Sequence, residues 1–489
     1  MRPPLLSTET MARIEMLEFI TRVNDLLWHN FVLWFLLLAG VFFTVYLGFV
    51  QWRFFPASIK ALLFSKTNNK KQISSFQALC TSLAQRVGTG NLAGVAAAIT
   101  YGGEGAIFWM WVTAILGSST AFAESTLAQV YKIRKPDGTF YGGPAYYIHA
   151  GLRSKPLAMI FSFSLIIAMG FVFNSVQSNT IAHGLSSAFG IPPLISGILL
   201  AICSSLIIFG GRKRIAQVAE VIVPFMALSY LAMTLFVLLI YINEMPALLA
   251  RIFYAAFNSQ AAVGGVIGHT VQQAIRHGVA RGLFSNEAGW GSAPNAAASA
   301  DVEHPVQQGL VQMLAVYIDT LLICTSTAVL IMLARDMDPD LTGIALTQAA
   351  SVFHFGHFGK IFVGIAIMLF GFTTILGNTF YGEANVQFII NQPSAVLIYR
   401  VLILAMVVIG SILEVPLVWQ MADLMSAVMT VINLVSIVLM AAIIKRTTHH
   451  FRSKFLTREE PSFSFSQIGL RNFSSYAFAY DRDNPEHGA

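Results

Sequence analysis

Long apolar runs separated by short charged loops dominate the chain. Eleven of them are long enough to read as membrane spans, at residues 28–52, 76–101, 105–131, 157–188, 193–210, 216–243, 263–299, 306–334, 357–391, 398–414 and 417–445. Nine read as continuous helices. The spans at 76–101 and 263–299 instead carry glycines and small polar residues, which weaken a helix in lipid. The first contains Arg86-Val-Gly-Thr-Gly-Asn91-Leu-Ala-Gly94 and the second Arg281-Gly-Leu-Phe-Ser-Asn286-Glu-Ala-Gly289. Arg, Asn, Ala and Gly recur at the same relative positions. Breaking two helices in a bilayer adds little stability, so the pattern predicts a binding site built on the breaks.

Loop charge predicts the orientation of the spans. Lys and Arg concentrate in the loops after spans one, three and five, at Arg400 and in the C-terminal tail. That side is read as cytoplasmic, with the N-terminus outside and the C-terminus inside. The broken spans then run in opposite directions. Each opens a set of five: residues 76–243 form a first repeat and 263–445 a second, inverted repeat. Residues 1–52 are an external leader and one extra N-terminal helix, Pro246–Ala262 an external surface helix, and 446–489 a solvated cytoplasmic tail. The predicted fold class is an all-α polytopic membrane protein of about eleven transmembrane helices.

Composition narrows the function classes. Of 489 residues 56% are hydrophobic and 11% charged, with a mean hydropathy of +0.67. The bilayer is the expected solvent, and the net charge of +6 belongs to membrane orientation, not to nucleic-acid binding. Cys80, Cys203 and Cys324 lie in apolar runs without metal-ligand spacing. The histidines lack metalloprotease spacing and no nucleotide-binding loop is present, so neither an enzyme nor a primary pump is expected.

A free amino acid is a zwitterion, and a broken helix complements both of its charges. The second half-helix offers unpaired N–H groups to a carboxylate; the first half ends in carbonyls suited to an ammonium group or a bare cation. Gly88 and Gly90 are expected to let the chain turn and a ligand approach. Thr89, Asn91, Ser285 and Asn286 add side-chain hydrogen bonds, and Gln177 shares a helix face with Asn174 in the span 157–188. Arg86 and Arg281, just before the breaks, either cap orphan carbonyls or pair with a buried acid, for which Asp319 is the expected partner. Thr373 and Thr374, with Asn378 one turn on, are candidate sodium ligands together with backbone carbonyls; the competing reading has each Thr bonding back to its own helix.

With these residues in view, the chain resembles the alanine/glycine:cation symporter (sodium:alanine symporter) family. Gly102-Gly-Glu-Gly-Ala-Ile-Phe-Trp-Met-Trp111-Val-Thr-Ala-Ile-Leu-Gly117 is the most specific match. Val87–Gly94, Tyr141–Tyr147, Gly282–Gly289 and Asp319–Cys324 also fit its pattern, and the likeness extends over about residues 25–445. The resemblance implies a LeuT-like five-plus-five inverted repeat and cation-coupled uptake of a small neutral amino acid, alanine or glycine, across the plasma membrane. It places substrate at Thr89, Gly90, Asn91, Phe284, Ser285 and Asn286, and sodium near Thr373 or Thr374, with Gly88 beside them. No other cofactor is implied. This chain has Glu104 where members commonly have Pro, and Asn378 where many carry Trp. The smaller, polar Asn378 implies a roomier pocket, open to glutamine or serine.

Sodium is expected over protons because of the threonine pair. Glu287 is the only carboxylate in either motif and the proton alternative's best candidate. An uncoupled channel or uniporter is the remaining rival.

Overall fold

The computed structural model describes residues 18–24, 26–63, 72–258, 270–335, 337–457, 463 and 468. The expected leader at 1–17 and most of the tail beyond Thr457 lie outside these. A π-helical turn, Trp28–Val32, leads into α1, Leu33–Tyr46. The first broken span comprises α2 (Ser75–Arg86) and α3 (Val95–Gly102). It is followed by α4 (Gly105–Val130), α5 (Lys155–Phe189), α6 (Pro193–Ile208) and α7 (Gly211–Ile240). The expected surface helix is α8, Met245–Phe257. The second broken span comprises α9 (Val271–Asn286) and α10 (Pro294–Ser299). Then come α11 (Pro305–Leu333), α12 (Gly343–Phe355), α13 (His357–Ile389), α14 (Pro393–Ser411) and α15 (Val415–Leu439). Finally α16, Ala441–Thr457, is an amphipathic helix that takes in the end of the expected span 417–445 and the first residues of the expected solvated tail.

Seven of these helices are long and apolar enough to cross a membrane, and α1 and α6 are shorter apolar helices. Their outer faces stay apolar, as at Trp34, Leu38, Leu206, Val221 and Leu228, a pattern that lipid, not water, would solvate. Among the described residues, regular structure is helical apart from a two-residue antiparallel ladder and an isolated bridge between Ile73 and Ala300. In the ladder Ile133 pairs with Tyr141 and Arg134 with Phe140, a hairpin that apolar-run reading left as loop.

Local chemistry sets where the broken helices start. Ser74 and Gln77 form a reciprocal capping box ahead of α2, and Thr270 and Gln273 form the same box ahead of α9. The two half-helices thus begin alike. Both lean on the partner half of the chain: α4 packs along α9 and α11, and α5 along α13 and α14. Glu104, the unusual residue before α4, pairs with Arg251 of α8 at 3.3 Å, which ties the surface helix down.

Candidate functional site: two facing helix breaks

The first break is short. After Arg86 the helix stops at Val87, and a π-helical turn at Gly90–Gly94 restarts it. Asn91 folds back so that its Oδ1 accepts from the Gly88 N–H at 2.8 Å, while the Thr89 N–H donates to Gln177 Oε1 at 3.1 Å. The chain bends at Val87 and Gly88, but neither Gly88 nor Gly90 has positive φ, so left-handed backbone is not what requires glycine here. Space is the reason for them. A Cβ on Gly88 would stand 2.4 Å from Thr374 Oγ1, and one on Gly90 would stand 2.9 Å from Phe284 Cδ1. The glycines let the first break touch α13 and α9.

The second break does use left-handed backbone, at Glu287 (φ 56), Gly289 (φ 89) and Gly291 (φ 79). Its free N–H groups already have a carboxylate. Gly289 and Gly291 donate to Glu124 at 3.3 and 3.1 Å, and Asn433 donates to the same group at 2.7 Å. These N–H groups, which lie in the break ahead of α10, are therefore held by α4. The Glu287 carboxylate accepts from Ser292 at 2.8 Å.

Asp319 joins the breaks. It lies in a π-helical stretch of α11, Tyr317–Cys324, and is fully buried. Asn91 of the first break donates to it at 2.6 Å and Ser285 of the second at 2.8 Å, with Thr320 adding a bond at 2.8 Å. Asn286 donates to Thr320 at 3.2 Å. Asp319 makes no ion pair among the described residues, so the expected Arg–Asp319 pairing is incorrect: short neutral donors reach the carboxylate first. Arg281 instead pairs with Asp423 of α15 at 2.7 and 2.5 Å. Arg86 donates to the Gln312 side chain at 3.1 Å and lies within electrostatic range of Glu124, Glu287 and Asp319.

The sodium candidates separate. Thr373 bonds back to Phe370 O at 3.0 Å within α13, and its only bond off that helix is a weak one to Met226 Sδ at 3.6 Å. Thr374 also bonds across to Ala84 O at 3.0 Å, where α2 runs toward the break. Asn378 accepts from Gln85 and donates to Asn174, both at 2.9 Å, so both ends of its carboxamide tie helices together. Thr89 Oγ1 is buried with no hydrogen-bond partner among the described residues.

A cavity of about 620 Å³ leads toward this region, lined by Ala93 of the π-helical turn, Tyr101 of α3, Arg281 of α9, and Trp419 and Asp423 of α15. The Arg281 guanidinium lies over Trp419, and Phe284 packs on Trp419 with ring centroids 4.9 Å apart. The extra N-terminal helix reaches this point too: Trp28 donates to Asp423 O at 3.1 Å and Asn24 to Gln420 O at 2.8 Å. Sequence reading missed Asp423, Trp419 and Glu124. Asp423 had a signal, being the one acid in the span 417–445.

These details agree with relationship across the whole chain. The model of the sodium:alanine symporter family matches residues 13–465. The chain belongs to that family. This symporter is 39% identical to the protein named sodium/alanine symporter AgcS of Methanococcus maripaludis, over 90% of this chain and 98% of that one. It is 43% identical to amino-acid carrier protein AlsT of Bacillus subtilis, over 93% and 96%. It is 44% identical to the Bacillus subtilis protein named probable sodium/glutamine symporter GlnT, over 92% and 94%. Among solved structures, a Na+-coupled sialic acid symporter matches with TM-score 0.51 at 14% identity, covering 94% of this chain and 99% of that one. The symporter thus shares that transporter's fold.

Proposed function

We propose that this symporter carries a small neutral amino acid into the cell, alanine or glycine foremost, together with sodium. Eleven helical segments cross the plasma membrane as an extra N-terminal helix plus two inverted sets of five, with the N-terminus outside and the C-terminus in the cytoplasm. Support comes from the opposed breaks, the matching capping boxes ahead of α2 and α9, and the loop charge. Substrate sits between the breaks at Thr89, Gly90 and Asn91 on one side and Phe284, Ser285 and Asn286 on the other, with Gln177 alongside. Sodium sits where Thr374 meets the end of α2, near Gly88 and Thr373.

The observation that carries this reading is the bridging of both breaks by one buried carboxylate, Asp319; the first break also holds the buried Thr89 hydroxyl, which has no partner among the described residues. A ligand that engages Asn91 or Ser285 changes what Asp319 holds, so both half-helices respond together. The driving force is adequate for one ion. A cation entering down about 100 mV releases about 2.3 kcal/mol, and a tenfold gradient adds about 1.4 kcal/mol. Their sum sustains roughly 500-fold accumulation of a neutral solute.

A second reading favours glutamine as substrate. It rests on Asn378 in place of a bulky indole and on the relative named for glutamine. Competition of labelled alanine uptake by a panel of amino acids separates the two. Competition by alanine and glycine alone eliminates glutamine, and stronger competition by glutamine eliminates alanine as the main substrate.

A further inference from the structure

The last helix, α16, leaves the apolar end of α15 and carries no acidic residue. One of its faces is buried through Ala441, Ile444, Thr448 and Phe451. The other opens on a cavity of about 740 Å³ lined by Ala442, Lys445, Arg446 and His449 and walled by Tyr46 at the end of α1. Lys445 is held against that wall, its ammonium 4.3 Å from the Tyr46 ring centroid. Lys445, Arg446 and His449 are exposed, and none forms an ion pair among the described residues. Three basic side chains therefore share one face of α16, with no anionic partner among the described residues, beside the end of the apolar helix α1.

The wall continues as an apolar track. Along α1 the side chains of Val45, Phe42 and Leu38 lie outward at 61, 38 and 64% exposure, spaced at three and four residues and so forming one stripe. The stripe ends at Tyr46, beside the Lys445 ammonium. Basic groups facing an anionic headgroup, with an apolar strip for its acyl chains, are the two elements of phospholipid recognition. An aromatic ring at their junction suits the interface.

We propose that this groove binds an anionic glycerophospholipid, its phosphate held by Lys445 and Arg446 and its acyl chain laid along Leu38, Phe42 and Val45. The site is separate from the helix breaks and does not depend on which amino acid is carried. Its occupancy stabilises α16, which docks on the rest of the chain through Phe451 on Phe54 and through His450, itself on the groove wall, on His304 ahead of α11.

The full-length symporter, purified in detergent, is titrated with phosphatidylglycerol and with phosphatidylcholine, and retained lipid is counted by native mass spectrometry. Wild type is expected to retain phosphatidylglycerol at least about tenfold more readily, about 1.4 kcal/mol, and the exposed double variant K445Q/R446Q to lose that preference. Equal retention of both lipids by wild type, or an undiminished preference in the variant, overturns the site. If the variant does not fold, salt decides: the wild-type preference should shrink as ionic strength rises, and a salt-insensitive preference overturns the proposal. Inorganic phosphate should fail to displace the lipid, because it cannot use the apolar track; displacement at equal concentration would likewise overturn it.

Discussion

Thr373 and Thr374 are neighbours in sequence but unequal in place. Thr374 reaches the backbone of α2, whereas Thr373 bonds mainly within α13. Thr374→Val should therefore raise the sodium concentration for half-maximal uptake by about tenfold or more, and Thr373→Val by much less; sodium titration of uptake checks both. Gly88→Ala should abolish sodium-dependent uptake, because its methyl would meet Thr374 Oγ1 at 2.4 Å. Asp319→Asn keeps the side chain's shape but turns one acceptor into a donor facing Asn91. Hydrogen bonds to charged groups contribute about 1.5–3 kcal/mol, so maximal uptake should fall roughly tenfold to a hundredfold. At this scale the candidate residues were legible in part. The glycines and short polar residues stood out against an apolar background, but their partners did not. Asp423 lies 142 residues from Arg281 and Glu124 far from the glycines it holds, and no periodic pattern links such positions. Only packing of α15 and α4 against the breaks brings them together.

Between elements, two contacts invite measurement. Arg281 and Asp423 connect α9 to α15 on the wall of the 620 Å³ cavity, and Trp28 and Asn24 brace α15 from outside the repeats. Asp423→Asn should weaken closure over the cavity. A cysteine placed at Ala97, on the cavity wall, should then react faster with a water-soluble thiol reagent in saturating substrate. The second contact is the stacked pair His304 and His450, at 3.2 Å between ring nitrogens. Burial first, and then the neighbouring His450, holds His304 well below its ordinary 6.5; burial and Lys454 lower His450. Both are thus neutral when α16 is docked. Their contribution is fully present above about pH 6.5 and is lost as pH falls toward the lowered values, since the undocked rings bind more protons. Amide exchange across Ala441–Thr457, corrected for intrinsic rates, should quicken from about pH 7.5 to about pH 5.5, and His450→Phe should lessen that change while leaving the part due to the buried His304. Helix spans were readable from apolar runs because lipid imposes their length. The π-helical turns, the α16 helix and the short ladder were not, since hydrogen-bond register and interfacial docking leave little trace in hydropathy.

For the whole molecule, the proposed function joins the cavity of about 620 Å³, two breaks linked through Asp319, and a proposed cation site where the first break meets α13. Its central claim is that amino acid and sodium move together. The most direct measurement is uptake of labelled alanine into proteoliposomes containing the full chain, under an inward sodium gradient and under an equal potassium gradient. The account predicts accumulation above equilibrium with sodium alone, lost when a sodium ionophore collapses the gradient. Equal uptake in sodium and potassium, levelling at the external concentration, would contradict it.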